Sequence, residues 1–303
     1  MNKGARLPAD VAHALPDAHR SSTFADFVAL TKPRLNLLVV LTSAAGYYLG
    51  SVASPDLMKM AQAVVGTALV AGGSAVLNQV YERDTDARMR RTRMRPLPDQ
   101  RVTVQEAAIF GGVLSLAGLA VLAFATNWVA AALAFATLVI YLAIYTPMKR
   151  TSGLSTLVGA VPGALPAVIG WSASRGDIAI GGWTLFAIVF LWQIPHFMAI
   201  AWLYRDDYRS AGFPMLPVVE PDGRRTGLQA LLYAAALLPV SIGPTVVGLA
   251  GWVYFGLALV LGIGLVALSA VFARSRTDRS ARMLFLGSII YLPLIWAAMV
   301  LDH

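Results

Sequence analysis

The sequence predicts an all-α fold, a polytopic membrane bundle of nine transmembrane helices. Three observations carry this expectation. The 303 residues are 57% hydrophobic and 13% charged, whereas charged residues make up about 25% of an ordinary soluble domain. Apolar runs recur that reach the roughly 20 residues needed to cross about 30 Å of hydrocarbon. The basic residues are also one-sided. With spans at 35–53, 58–78, 106–125, 127–146, 154–173, 179–203, 227–248, 252–273 and 283–301, all but Lys59 and Arg175 of the 24 Lys and Arg residues fall on one face of the membrane. This asymmetry predicts a multi-pass protein of the cell inner membrane with its N-terminus in the cytoplasm and His303 outside. It also assigns most of the +8 net charge to topology, so no nucleic-acid partner is expected.

Residues 1–23 have no apolar core and no cleavage pattern, which predicts a loose cytoplasmic tail and no removable signal. Residues 24–303 are expected to form a single transmembrane domain. Phe24 to Lys32 reads as a short interfacial helix, ended by Thr31-Lys32-Pro33-Arg34, with Pro33 suited to the start of the next helix. Lys32 and Arg34 read as flanking anchors, with a role in a site as the alternative. The small-residue run Ala71-Gly72-Gly73-Ser74-Ala75 in the second span permits close helix packing.

That span ends in the most polar stretch of the chain, NQVYERDTDARMRRTRMRPLP, residues 78–98. Asn78, Glu82 and Asp86 are spaced i, i+4, i+8, so on a helix they share one face, drifting about 40° per step. Three oxygen donors followed closely by arginines suit Mg²⁺ carrying a diphosphate, because Mg²⁺ is usually held by one or two carboxylates plus substrate phosphates. Asp84 joins such a site only if the helix has unwound there. Arg88, Arg90, Arg91, Arg93 and Arg95 exceed what orientation requires, and Arg suits bidentate phosphate contact. Some of them are expected at the diphosphate, with Arg88, Arg91 and Arg95 as candidates.

The third-to-fourth and seventh-to-eighth connections are very short, which forces antiparallel hairpins. Pro147 stops the fourth helix, leaving Lys149 and Arg150 at membrane level beside the acidic cluster, either as flanking charges or as phosphate ligands. The fifth span, with Pro162 and Pro166, is expected to be kinked or broken. The sixth carries His196, the only histidine inside a span, next to Trp192, Gln193 and Pro195. Ionisable residues within a membrane are rare and are functional candidates by default. On a helix His196 would lie about 15 Å deeper than Asp206. Asp206 and Asp207, flanked by Arg205 and Arg209, repeat the pattern of acids at a cytoplasmic helix end. The recurrence four spans after the first acidic cluster hints at duplicated four-helix units plus one helix. In the last cytoplasmic loop Arg274, Arg276, Arg279 and Arg282 surround Asp278 and read as orientation signal. The chain has no cysteine, which excludes disulfides and thiol chemistry, and no P-loop, dinucleotide fingerprint, zinc spacing or nucleophile elbow. A transporter is the competing class, since broken helices and polar residues inside spans also mark transporters. Against it, the acids cluster at one face rather than at mid-membrane.

With both acidic stretches in view, the chain resembles the UbiA-type intramembrane prenyltransferases. Asn78, Glu82 and Asp86 match their Asn-x-x-x-Asp-x-x-x-Asp motif, with Glu for the middle Asp. The phrases TKPRLN (31–36), YTPMKRTS (145–152) and LWQIPHFMAIAWLYRDDYRSAGFPMLPVV (191–219) resemble more closely the branch that farnesylates haem. In the wider family the second motif is a spaced Asp-x-x-x-Asp; here Tyr204 and Tyr208 hold that spacing and the acids are the adjacent Asp206 and Asp207. The resemblance implies haem B and farnesyl diphosphate as substrates, Mg²⁺ as cofactor, haem O and diphosphate as products, and a haem A synthase as recipient. It further implies Asn78, Glu82, Asp84, Asp86, Asp206 and Asp207 as the metal-binding and catalytic set. Arg88, Arg91, Arg95, Lys149, Arg150 and Arg205 would meet the diphosphate, and His196, Trp192 and Gln193 the haem. A relative acting on an aromatic acid or quinone precursor is the nearest alternative.

Overall fold

Lipid offers no partners to backbone N–H and C=O groups, so a chain this apolar must satisfy them within helices. In the computed structural model, which describes residues 22–52 and 54–303, every regular element is a helix. The tail expected at 1–23 lies outside the described residues except for Ser22 and Thr23. The elements are α1 (Phe24–Leu30), α2 (Pro33–Gly50), α3 (Leu57–Asp86), α4 (Val104–Thr126), α5 (Trp128–Met148) and α6 (Ser155–Arg175). They continue with α7 (Ile180–Leu203), α8 (Arg205–Ala211), α9 (Leu216–Val219), α10 (Arg224–Val246), α11 (Trp252–Ser275) and α12 (Asp278–Leu301).

Among the described residues, 8 helices are long and apolar enough to cross a membrane: α3 to α7 and α10 to α12. The sequence predicted nine spans. The remaining one, 35–53, is the 18-residue helix α2, whose opening Pro33-Arg34-Leu35-Asn36 lowers its apolarity.

Small residues set the closest packing, as expected where helices meet without a hydrophobic driving force. A Cβ on Gly46 of α2 would lie 2.1 Å from the Ala167 carbonyl oxygen of α6, and one on Gly170 of α6 would lie 1.9 Å from that of Ser43. Likewise a Cβ on Gly73, in the small-residue run of α3, would lie 2.2 Å from Ser115 Oγ and 2.7 Å from the Gly111 carbonyl oxygen of α4. Helix α6 is the most enclosed span and packs against α2, α3, α5 and α7. Beyond it, α7, α10, α11 and α12 form the other half around a core that includes Trp192, Leu237, Tyr254, Phe272 and Tyr291.

The fifth span, expected to be kinked or broken, has no break. Helix α6 runs unbroken through Pro162 and Pro166, and α7 through Pro195. Neighbouring helices on several sides can hold a span together where proline removes a ladder bond. The irregular backbone lies elsewhere, in π-helical turns at Leu122–Thr126 and Ile140–Tyr145. The α4–α5 hairpin is as tight as predicted. Asn127 alone joins the helices, accepting from the Ala130 N–H and donating to the Ser172 carbonyl.

Candidate active site at the C-terminal ends of α3 and α7

Helix α3 continues to Asp86 without unwinding, so the i, i+4, i+8 face forms as predicted. Asn78, Glu82 and Asp86 are buried, at 1%, 5% and 1% exposure. Each already has a partner on another segment. Asn78 Nδ2 donates to Thr146 Oγ1 at 3.0 Å, and that hydroxyl donates to the Tyr141 carbonyl within the π-helical turn. Glu82 Oε1 accepts from Lys149 Nζ at 2.9 Å. Asp86 Oδ2 accepts from Arg95 at 2.7 Å, while Thr92 Oγ1 binds the Asp86 carbonyl and folds the arginine-rich loop back over the helix end. The fourth span does not stop at Pro147 but runs through it to Met148, and Thr146 and Lys149 at its end meet this face. Lys149 also lies over the Tyr145 ring, 4.7 Å from its centroid. Burial alone would lower the Lys149 pKa, but Tyr145 and Glu82 outweigh it and raise it, so the ammonium stays charged.

The second acidic stretch is brought to the first. Met89 packs with Ala211 and Phe213, Ser210 Oγ donates to the Arg88 carbonyl, and Arg90 pairs with Asp207 at 3.7 Å. Arg91 lies over the Tyr204 ring. The two adjacent acids of α8 diverge. Asp207 is mostly covered and faces the arginine loop, whereas Asp206 is 68% exposed and pairs with Arg209 along its own helix.

Other candidates sit apart. Asp84, on the opposite face of α3, is 74% exposed and paired with Arg83. Arg150 lies over Tyr81 on the outer face. Arg205 donates to the Trp202 carbonyl and to Asp278, joining α7 to the start of α12. Asp278, surrounded by arginines in the sequence, is thus a structural acceptor. It also accepts from Trp202 Nε1.

The three residues considered for haem divide. His196 Nδ1 bonds Ser288 Oγ at 2.8 Å, and its ring stacks between Trp192 and Phe285. Its Nε2 has no hydrogen-bond partner among the described residues. Trp192 Nε1 donates to the Ser288 carbonyl. Gln193 points the other way, donating to the Ala160 carbonyl across the α6–α7 contact and to Val189.

Lys32, which the sequence reads as a flanking anchor or alternatively as a site residue, lies within electrostatic reach of the cluster. Lys32, between α1 and α2, is influenced by Arg95, Lys149, Glu82 and Asp86. Burial, with the like charges of Arg95 and Lys149, lowers its pKa to about 7, against the opposite pull of Glu82 and Asp86. The only signal in the sequence was its place before Pro33 at the membrane edge, where a cationic anchor is also ordinary.

As a Mg²⁺ site the cluster has suitable donor chemistry. Two carboxylates and an amide oxygen lie along one buried helix face, and cationic side chains stand beside them to meet phosphate. Among the described residues no group of three or more His, Cys, Asp or Glu side chains is assembled to hold a metal by itself. A metal shared with a phosphate ligand needs no such group.

The sequence profile of the UbiA prenyltransferase family matches residues 39–293. The chain belongs to that family. A relative from Solibacter usitatus, named protoheme IX farnesyltransferase, is 44% identical over 92% of this chain and 98% of its own length. One of the same name from Opitutus terrae is 44% identical over 93% of this chain and 96% of its own. Among solved structures, digeranylgeranylglyceryl phosphate synthase superposes with a TM-score of 0.78 at 16% identity, covering 92% of this chain and 97% of that one. A UbiA homolog from Archaeoglobus fulgidus bound to GPP and Mg²⁺ gives 0.62 at 17% identity, covering 90% and 99%. At these identities the two structures speak for the UbiA fold alone.

Proposed function

We propose that this UbiA-family protein transfers a farnesyl group from farnesyl diphosphate to a vinyl group of haem B. With addition of water the products are haem O and diphosphate. The observation that carries this reading is the near-full-length similarity, at 44% identity, to proteins named protoheme IX farnesyltransferase. The buried Asn78–Glu82–Asp86 face, with Lys149 and Arg95 against it, supports the reading chemically.

In this mechanism Asn78, Glu82 and Asp86 would hold Mg²⁺, and Asp207 stands against the arginine loop. Bound there, Mg²⁺ supplies positive charge to the departing diphosphate oxygens. Lys149 and Arg95 turn from their carboxylates to the same oxygens, and Arg90 and Arg91 line the approach from the loop. Preplaced cations in a water-poor site stabilise developing charge without reorganising at the moment of bond cleavage. Keeping bulk water away protects the allylic cation from hydrolysis. The vinyl group attacks farnesyl C1 as its bond to the diphosphate oxygen breaks, and water captures the resulting cation, giving its proton to the released diphosphate and leaving the hydroxyethyl oxygen. His196, with Nδ1 fixed by Ser288 and Nε2 free, contacts the haem; imidazole is a common haem-iron ligand. The basic asymmetry supports an inner-membrane protein with the site and the N-terminus facing the cytoplasm, passing haem O to a haem A synthase.

The test is to incubate the purified protein with haem B, farnesyl diphosphate and Mg²⁺ and to measure haem O by mass. The expected result is product formation that a chelator abolishes. Consumption of farnesyl diphosphate only with an aromatic acid, or turnover indifferent to chelators, would overturn the proposal.

A further inference from the structure

A serine hydroxyl has one proton to give and two lone pairs to offer. Ser288, in α12, is fully buried, and its Oγ gives that proton to the Phe285 carbonyl one turn back, at 2.7 Å. The same oxygen lies 2.8 Å from Nδ1 of His196 in α7. With its own proton already placed, Ser288 can only accept there, so Nδ1 carries the hydrogen. In a neutral imidazole the other nitrogen, Nε2, is then a bare lone pair. It meets no hydrogen-bond partner among the described residues.

The ring is held at that angle from both faces. Trp192, one turn before His196, stacks on it with centroids 4.9 Å apart, and Trp192 Nε1 donates to the Ser288 carbonyl at 2.7 Å. Phe285 stacks on the imidazole with centroids 5.2 Å apart. Ser288 is therefore tied into the α7–α12 crossing through its hydroxyl and its carbonyl alike. A histidine that only joined two helices would gain from a partner on each nitrogen, because a polar atom left unmet in apolar surroundings is costly. One nitrogen fixed and the other open is the arrangement of a metal ligand. Metal-binding histidines almost always donate their other N–H to a set acceptor, which fixes tautomer and ring orientation. The hydrogen placement also separates two ways of meeting haem. A propionate carboxylate needs an N–H donor and would face a lone pair at Nε2, whereas iron needs that lone pair.

We infer that Ser288 is a positioning residue for His196. By accepting from Nδ1–H it makes His196 present the Nε2 lone pair to the haem iron rather than an N–H to a propionate. The inference rests on the reading of His196 as a haem contact given above, and adds the residue that sets its tautomer.

The experiment uses the full chain in detergent, titrated with ferric haem B and, separately, with metal-free protoporphyrin IX, which has the same propionates and no iron. Soret absorption follows both. For Ser288→Ala the expected result is haem affinity weakened about ten- to a hundredfold, the range for removing the acceptor behind a metal-bound histidine. The Soret band of bound haem moves, while affinity for the metal-free porphyrin stays at the wild-type value. KM for haem rises and KM for farnesyl diphosphate does not. Ser288→Thr, which keeps the hydroxyl, restores haem affinity. Ser288→Cys, similar in size and a poor acceptor, behaves as the alanine variant does and replaces it should that variant not fold. Wild-type haem affinity and spectrum without the hydroxyl would overturn the inference. So would an equal loss of haem and metal-free porphyrin, which marks a merely structural or propionate-directed role. His196→Ala reports on the underlying reading. If it loses haem while Ser288→Ala keeps it, only the inference fails. If it binds haem with wild-type affinity and spectrum, the reading of His196 fails with it.

Discussion

Replacing Glu82 by Gln tests the pairing of carboxylate and ammonium at the centre of the site. The side chains of Glu82 and Lys149 are 7% and 20% exposed and lie 2.9 Å apart. At that separation and an effective dielectric near 20, their gross attraction is about 6 kcal/mol. Breaking a buried pair from one side costs about 3–5 kcal/mol because the other charge is stranded. Lys149 keeps some access to solvent and the Tyr145 ring, so a cost near 2–3 kcal/mol is expected. Adding Lys149→Met to Glu82→Gln removes the stranded charge and recovers most of the stability. It does not recover catalysis, because both partners are needed once diphosphate is present. Thermal unfolding of the purified variants reads the first effect, and haem O formation by mass reads the second. Turnover is expected to fall at least about a hundredfold in Glu82→Gln and in the double variant alike. Full activity in either, or a double variant no more stable than the single one, would refute the reasoning.

Asn78→Ala and Asp86→Ala are expected to abolish turnover while leaving the fold intact, whereas Asp84→Ala, which removes an exposed carboxylate, should stay within about twofold of wild type; Mg²⁺ titrations of activity separate the three. Lys32 predicts a pH dependence of stability. Its folded-state pKa near 7 lies below the ordinary 10.5, so between those values the unfolded chain holds the extra proton. Its penalty is complete below pH 7 and fades as pH rises toward 10.5, so the stability gained in Lys32→Met over wild type should be largest at pH 6 and shrink by pH 9.5 in unfolding scans. His196→Ala should change the absorption spectrum of haem added to the protein; identical spectra would count against contact with the iron. Gly170→Ala should cost about 3 kcal/mol by overpacking the α2–α6 crossing, whereas Gly112→Ala, with nothing within 4 Å of its Cβ, should be neutral or slightly stabilising. Unfolding midpoints compare the two.

Much of the architecture could be read from the chain, because apolar length and one-sided charge are local properties. The helical face of Asn78, Glu82 and Asp86 was legible for the same reason. Residues separated by whole turns of one helix need no knowledge of the fold. Partners across the bundle were not legible. Arg205 reads as a phosphate ligand, and nothing in the sequence announces that Asp278, 73 positions away, accepts from it. Gln193 reads as a site residue until the Ala160 carbonyl is found at its amide. Lys32 reads as an anchor because the bond that ties down the turn before it, from Gln79 Nε2 to the Leu30 carbonyl, comes from a residue remote in sequence. Of the two outcomes the prolines allowed, kink or break, the break is absent: Pro162 and Pro166 would end a helix that stood alone, and α6 is surrounded by neighbours.

The pairs Lys149–Glu82 and Arg95–Asp86 have one more consequence. On the function proposed above they would act as internal counter-ions, and a metal pyrophosphate would enter by exchange of partners: each carboxylate would trade an ammonium or guanidinium for the metal, and each freed cation would take a phosphate oxygen. Few bare ions are created on the way in or on the way out. Affinity should therefore depend only weakly on ionic strength, and the product can leave by the reverse swap as the side chains close behind it.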